Sequence, residues 1–127
     1  MDVVDASAAV LALRADGEAR RRLRQVRLQA PCLIDAEVTQ ALRRAEQRGE
    51  LAPDAAVLAL RTWRRLGIRR HRMPGLLPRV WALRHNLSSY DATYVALAEI
   101  LGCPLVTADG RLATAPGVRC PVALVTT

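Results

Sequence analysis

Short apolar runs alternate with amphipathic segments along the chain, and this alternation predicts strands that alternate with helices. Val3-Val4 is a short apolar run that indicates a buried strand, and Ala6 to Leu13 predicts the helix that follows it. Asp16-Gly17 then ends that helix. The other strands are expected at Pro31 to Ile34, Ile68 to Met73 (a weak candidate), Leu105 to Thr107 and Val122 to Val125.

Helical periodicity and stop signals place the remaining helices. Val38, Ala41, Leu42 and Ala45 follow the i, i+3, i+4, i+7 pattern of a helix that packs on a core, and Gly49 ends it. The other helices are expected at Glu18 to Gln29, Pro53 to Leu66, Leu76 to His85, Ser88 or Ser89 to Leu101, and, as a helix or turn, Gly110 to Ala115. This order favours one α/β domain over residues 1–127, with a mainly parallel sheet and right-handed crossovers.

Composition supports a globular chain with an aliphatic core. Hydrophobic residues make up 51% of the 127 positions, but aromatic residues only 3%, and Phe is absent. No apolar run approaches the roughly 20 residues of a membrane span. Asp2 and Asp5 stand where a signal peptide has its basic region, so we expect a cytoplasmic protein. Three cysteines without C-x-x-C spacing predict structural thiols, with Cys32 and Cys103 buried at strand entries.

The charge is strongly positive and is carried by arginine alone. The net charge is +7, with 19 basic residues and no lysine. A run from Arg20 to Arg27 crowds the second helix, and such a run is either a solvated face or a binding face. Because guanidinium groups suit phosphate oxygens, a nucleic-acid backbone is the leading candidate partner.

Four acids stand where an apolar run ends or a helix begins: Asp5, Glu37, Asp91 and Asp109. The carboxyl ends of parallel strands share one edge of a sheet, and ligands bind there. Four carboxylates on one edge would repel one another unless a cation lay among them. Mg²⁺ or Mn²⁺ suits such an all-oxygen, anionic set, so the pattern predicts a metal-dependent enzyme.

Three of the four acids also have a structural interpretation. Asp5 could cap the first helix, Ser88 and Asp91 could form a capping box, and Asp109-Gly110 could be a turn. We expect Asp35 to be a helix cap and Asp2 to lie at the opposite end of its strand. The other acids, Asp16, Glu18, Glu46, Glu50, Asp54 and Glu99, are expected to be surface charges. The parts of a serine hydrolase, a P-loop and a Rossmann cofactor site are missing.

At these positions the chain resembles PIN-domain ribonucleases, and in particular the VapC toxins of bacterial type II toxin–antitoxin systems. The resemblance covers essentially the whole chain. It rests on four segments in order: Val3 to Ala8, Glu37 to Arg44, Leu87 to Glu99, and Leu105 to Leu112. It implies a PIN-like three-layer α/β/α sandwich.

The resemblance also implies a function and a set of roles. Asp5, Glu37, Asp91 and Asp109 would be the catalytic residues that hold Mg²⁺ or Mn²⁺, and Ser7 and Thr107 would be supporting hydroxyls. The protein would be an endoribonuclease that cuts single-stranded or structured RNA and inhibits translation. Its expected partners are the RNA substrate, a cognate VapB-type antitoxin and a second copy in a homodimer.

Three alternatives remain open. A metal-dependent DNA nuclease of the flap type has a related sheet, although this chain is short for the helical arch of such enzymes. A non-catalytic nucleic-acid-binding module could keep the fold and use only its arginines. In the third alternative, the four acids are structural caps and nothing else.

Overall fold

A computed structural model describes residues 1–127 and contains one sheet of five strands. The strands are β1 (Asp2–Val4), β2 (Leu28–Pro31), β3 (Ile68–His71), β4 (Leu105–Thr107) and β5 (Val122–Leu124). All of them pair in parallel, in the order β3-β2-β1-β4-β5. The middle strand, β1, pairs with β4 through Val3 and Leu105 and through Val4 and Val106.

Seven helices connect and cover these strands. They are α1 (Ala6–Arg14), α2 (Glu18–Gln25), α3 (Ile34–Gln47), α4 (Pro53–Arg65), α5 (Leu77–Ala82), α6 (Ser89–Leu101) and α7 (Gly110–Thr114). A 3-10 turn, Pro74–Leu76, precedes α5. None of these helices has both the length and the apolar character needed to cross a bilayer.

The core lies between the sheet and the helices on its two faces. Helix α1 packs with α2, α3 and α4, whereas α6 packs with α5 and against β1, β2 and β4. The central strands contribute Val3, Val4, Leu105 and Val106, all fully buried. The expected α/β/α sandwich is confirmed, and the sheet is parallel at every pairing.

The second strand lies three residues earlier than predicted. Helix α2 ends at Gln25 rather than Gln29, and β2 runs from Leu28 to Pro31 instead of Pro31 to Ile34. Ile34, expected at the end of the strand, is fully buried as the first residue of α3. A short apolar run is buried equally well as a strand or as a first helical turn, so periodicity alone misplaced this boundary.

The shift of β2 also overturns two predictions for single residues. Cys32 is exposed rather than buried, because it follows the strand instead of entering it. Asp35 does not cap α3, since Leu33 holds the cap position. Its carboxylate instead accepts hydrogen bonds from the indole N–H of Trp63 at 2.8 Å and from the guanidinium of Arg70 at 2.7 and 2.8 Å.

Two further differences concern α5 and α6. Helix α5 is shorter than predicted and ends at Ala82. Glu99 of α6 is not a surface charge: its side chain is 14% exposed and accepts hydrogen bonds from the guanidinium of Arg79 at 2.7 and 3.2 Å. The backbone N–H of Arg119 donates a third at 2.9 Å. This ion pair ties α5 to α6.

Candidate active site at the carboxyl edge of the sheet

The four predicted acids all lie at the carboxyl end of the sheet. Asp5 directly follows β1, and Asp109 lies two residues after β4. Glu37 is in the first turn of α3, and Asp91 is in the first turn of α6. Because α3 starts just after β2 and α6 leads back to the start of β4, both helices begin at this edge. We call these four residues the acidic edge.

Asp5 is buried and is held by two hydroxyls and a backbone N–H. One carboxylate oxygen accepts from the Ser7 hydroxyl at 2.6 Å and from the N–H of Ala8 at 3.0 Å. The other accepts from the hydroxyl of Thr107. Asp5 is therefore the cap of α1, as one interpretation expected, and the two hydroxyls singled out in the sequence both contact it.

The hydroxyls of Ser7 and Thr107 also join the first turn of α1 to the end of β4. The two oxygens lie 3.2 Å apart. Ser7 accepts a hydrogen bond from the N–H of Ala108 at 2.9 Å, and Thr107 accepts one from the N–H of Asp109 at 3.0 Å. This network fixes the chain that carries Asp109 relative to Asp5.

Glu37 is held by Tyr94, a residue of the apolar face of α6. The hydroxyl of Tyr94 donates to its carboxylate at 2.6 Å, while the tyrosine side chain is almost fully buried. A tyrosine on an apolar helix face carries a polar tip that needs a partner when it is buried. The sequence could therefore predict that a buried Tyr94 has a hydrogen-bond partner. It could not predict which residue this is, because Glu37 lies 57 positions away in the chain.

Asp91 and Asp109 both take part in helix capping. The N–H of Asp91 donates to the Ser88 hydroxyl at 3.1 Å, which is one half of the expected capping box. Asp109 caps α7 by accepting from the N–H of Arg111 at 3.0 Å. The guanidinium of Arg111 also pairs with Asp109 at 2.7 Å, a contact that the sequence analysis did not identify.

The electrostatics show that the acidic edge is one coupled set. Burial raises the pKa of Asp5, Glu37 and Asp91 above the ordinary carboxyl values. Negative neighbours raise these pKa values further: Asp91 acts on Asp5, both act on Glu37, and Asp109 acts on Asp91. Asp109 differs, because its hydrogen bonds and ion pair with Arg111 lower its pKa. Three acids thus repel one another, and Asp109 is coupled to them through Asp91.

The donor set has the chemistry of a hard-cation site, but its side chains are not gathered around a common point. Carboxylates that raise each other's pKa fit a divalent ion, which would favour their charged forms. However, no three His, Cys, Asp or Glu side chains lie together in an arrangement that could hold an ion. Tyr94 holds Glu37 and Arg111 holds Asp109. The structure therefore brings the four acids to one edge without forming a closed coordination shell.

Comparison with known proteins identifies the family. The PIN domain model matches residues 3–118. The chain belongs to the PIN-domain family. Within the family, this PIN domain is 50% identical to ribonuclease VapC9 of Mycobacterium tuberculosis over 125 residues, which cover 98% of each chain. It is 45% identical over 128 residues to ribonuclease VapC1 of the same organism, covering 97% of this chain and 96% of the relative. The predicted resemblance to VapC ribonucleases is confirmed.

A solved structure supports the fold. The PIN domain superposes on the crystal structure of VapC20 from Mycobacterium tuberculosis, a toxin that cleaves the sarcin–ricin loop, with a TM-score of 0.64. The match covers 87% of this chain and 91% of VapC20 at 24% sequence identity. At this level of sequence identity, the structural similarity to VapC20 establishes the fold.

Proposed function

We propose that this PIN-domain protein is a toxin of the VapC type, an endoribonuclease that depends on Mg²⁺ or Mn²⁺. The observation that supports the proposal most strongly is the acidic edge, in which burial and mutual repulsion raise the pKa of three carboxylates. Such perturbed groups concentrate at functional sites. The relatives named above as ribonucleases, at up to 50% identity, indicate the reaction class.

In this proposal the four acids would hold the ion, and the neighbouring side chains position the acids. Once bound, the ion would supply positive charge against the scissile phosphate and would make water more acidic. Ser7 and Thr107 orient Asp5 and oppose the rise in its pKa that burial causes, because hydrogen bonds to a carboxylate favour its charged form. Tyr94 orients Glu37 in the same way.

RNA is the proposed substrate, and cutting an RNA needed for translation would slow growth in the cytoplasm. The net charge of +7 favours a polyanion. Part of the arginine run is structural: Arg20 donates to the carbonyls of Ala12 and Leu13, and Arg22 pairs with Asp2 at 3.0 Å. We therefore expect exposed arginines to bind the phosphates of the RNA. Arg111 is the best placed for this role, because its side chain is 86% exposed and lies at the acidic edge.

A cognate antitoxin of the VapB type would block this site. An apolar groove of about 470 Å³ lies between α1, α2 and α4, with Leu13, Leu23 and Leu58 among its lining residues. Arg14 and Arg24 border it. This combination fits a partner segment with apolar side chains and acidic flanks.

The homodimer implied by the resemblance stays a prediction, and light scattering of the purified protein would test it.

The experiment incubates the purified protein with Mg²⁺ and matched single strands of RNA and DNA. We expect RNA to be cut, and Asp5→Asn and Asp91→Asn to abolish both cleavage and growth arrest. Asp54→Asn, which removes an exposed acid from α4, is the matched control and should remain active. Cleavage of DNA alone would instead indicate a DNA nuclease. Growth arrest that persists in both active-site variants would indicate a non-catalytic binding module.

A further inference from the structure

The chain has only four aromatic side chains, and they divide into two pairs. Trp63 and Tyr94 are 3% and 2% exposed and belong to the core. Trp81 and Tyr90 are 68% and 65% exposed. Tyr90 directly precedes Asp91 in the first turn of α6, so one of the two exposed aromatic rings is at the acidic edge.

Helix geometry relates Tyr90 to Tyr94, the residue that holds Glu37. Side chains four apart share a helix face, so Tyr90 lies on the same side of α6 as Tyr94, one turn closer to the start of the helix. Long helical side chains point back toward the helix N-terminus. The hydroxyl of Tyr94, which donates to Glu37, therefore reaches the level of the first turn. Tyr90 lies in the turn at which α6 begins, at the acidic edge and next to Asp91.

Exposure on α6 is limited to its two ends. Ser89 and Tyr90 are exposed in the first turn and Ile100 in the last, whereas the residues from Ala92 to Ala98 are all buried, so the ring of Tyr90 lies at the mouth of the site. An aromatic ring left in water next to charged groups offers a flat face for stacking. Arg111, the exposed guanidinium at the same edge, acts electrostatically on Asp91, which follows Tyr90 in the chain, and so adds positive charge to this edge.

We propose that Tyr90 is a stacking subsite for one unpaired nucleobase of the RNA, next to the phosphate that is cut. Base stacking on exposed aromatic side chains is a general mode of binding to single-stranded nucleic acids and tolerates any base. The inference rests on the proposed ribonuclease function and deepens it. It predicts that the site needs a base at one particular position of the strand, whatever that base is.

The test compares wild type, Tyr90→Ala and Tyr90→Trp on short single-stranded RNAs with Mg²⁺. In a set of otherwise identical substrates, each of the nucleotides around the cleavage site is made abasic in turn. We expect Tyr90→Ala to lower kcat/KM about 5- to 150-fold on intact RNA, the range that stacking of one base contributes, mainly through KM. Tyr90→Trp should restore it. At one abasic position, Tyr90→Ala and wild type should be equal.

Ile100→Ala is the matched control, because Ile100 is 62% exposed on the last turn of the same helix. It should cleave like wild type. An equal loss for Tyr90→Ala on intact RNA and on every abasic substrate would overturn the stacking role, since a merely structural effect does not depend on the base. So would full activity of Tyr90→Ala on intact RNA.

A binding measurement separates failure of this inference from failure of the proposed function. The affinity of the same RNAs for the Asp5→Asn protein, with and without Tyr90→Ala, is measured in EDTA. If wild type does not cleave, a loss of affinity that disappears at one abasic position still supports the subsite, whereas the ribonuclease proposal fails. Equal affinities for all of the RNAs, or no binding of any RNA, would overturn the subsite.

Discussion

Replacing Thr107 by valine tests the network that holds Asp5. Thr107 is fully buried, and its hydroxyl donates to Asp5 and accepts from the N–H of Asp109. Valine has nearly the same shape and suits a strand, so the substitution removes the hydroxyl and little else. Thr107→Ser is the matched control, because it keeps the hydroxyl and removes only a methyl group.

The expected loss of stability follows from these contacts. A hydrogen bond to a charged group contributes about 1.5–3 kcal/mol to the free energy of unfolding, and the N–H of Asp109 left without an acceptor adds about 1 kcal/mol. Thr107→Val should therefore cost about 3 kcal/mol. Thr107→Ser loses one buried methyl, about 1 kcal/mol. Because the hydroxyl of Thr107 lowers the pKa of Asp5, valine should also raise that pKa further.

Urea denaturation in EDTA at pH 7 measures the stability of both variants. We expect the valine variant to be about 2 kcal/mol less stable than the serine variant. In cleavage assays with Mg²⁺, the rise in activity with pH should begin at higher pH for valine than for serine, since Asp5 must lose its proton before it can act as a ligand. A valine variant as stable as the serine variant would refute the role given to this hydroxyl.

The remaining predictions concern Glu37, Asp91 and Glu99. Tyr94→Phe keeps the buried ring but removes the donor to Glu37, so it should cost about 1 kcal/mol in urea denaturation and lower RNA cleavage; unchanged cleavage would contradict the positioning role. In metal-free protein the pKa of Asp91 is raised, so its contribution to stability is present below the ordinary carboxyl range and lost as pH rises through its folded pKa. The free energy of unfolding of Asp91→Asn should therefore increase relative to that of wild type as the pH rises from about 4, the ordinary carboxyl range, to about 7. A difference in free energy of unfolding that stays constant with pH would contradict this prediction. Glu99→Gln weakens the pair with Arg79 and should cost about 1–3 kcal/mol in thermal or urea unfolding without reducing cleavage at permissive temperature.

The placement of the acidic edge was predictable because it depends on local signals. Asp5 follows an apolar strand, and Thr107 ends another, so strand alternation alone places both at the same edge of the sheet. The two ends of α6 also depend on local signals. Ser88 is the N-cap of this helix, and Gly102 follows its last residue with the left-handed φ of 64° that favours glycine.

The partners of these residues were not predictable, because they depend on the order of the strands in the sheet and on helix packing. Glu37 meets Tyr94 only because α3 and α6 begin at the same edge, and Glu99 meets Arg79 only because α5 packs along α6. The predicted position of β2 was wrong for a different reason. Ile34 satisfies burial in either element, so the apolar run did not distinguish the strand from the first turn of α3.

Direct measurement of Mn²⁺ binding by electron paramagnetic resonance tests the central proposal, since it reports the free ion without requiring any RNA. We expect saturable binding by the wild-type protein, abolished in Asp5→Asn and in Asp91→Asn while circular dichroism shows that both remain folded. Wild-type protein that binds no Mn²⁺ at millimolar concentration, or variants that bind it as tightly as wild type, would contradict the assignment of the acidic edge as a metal site.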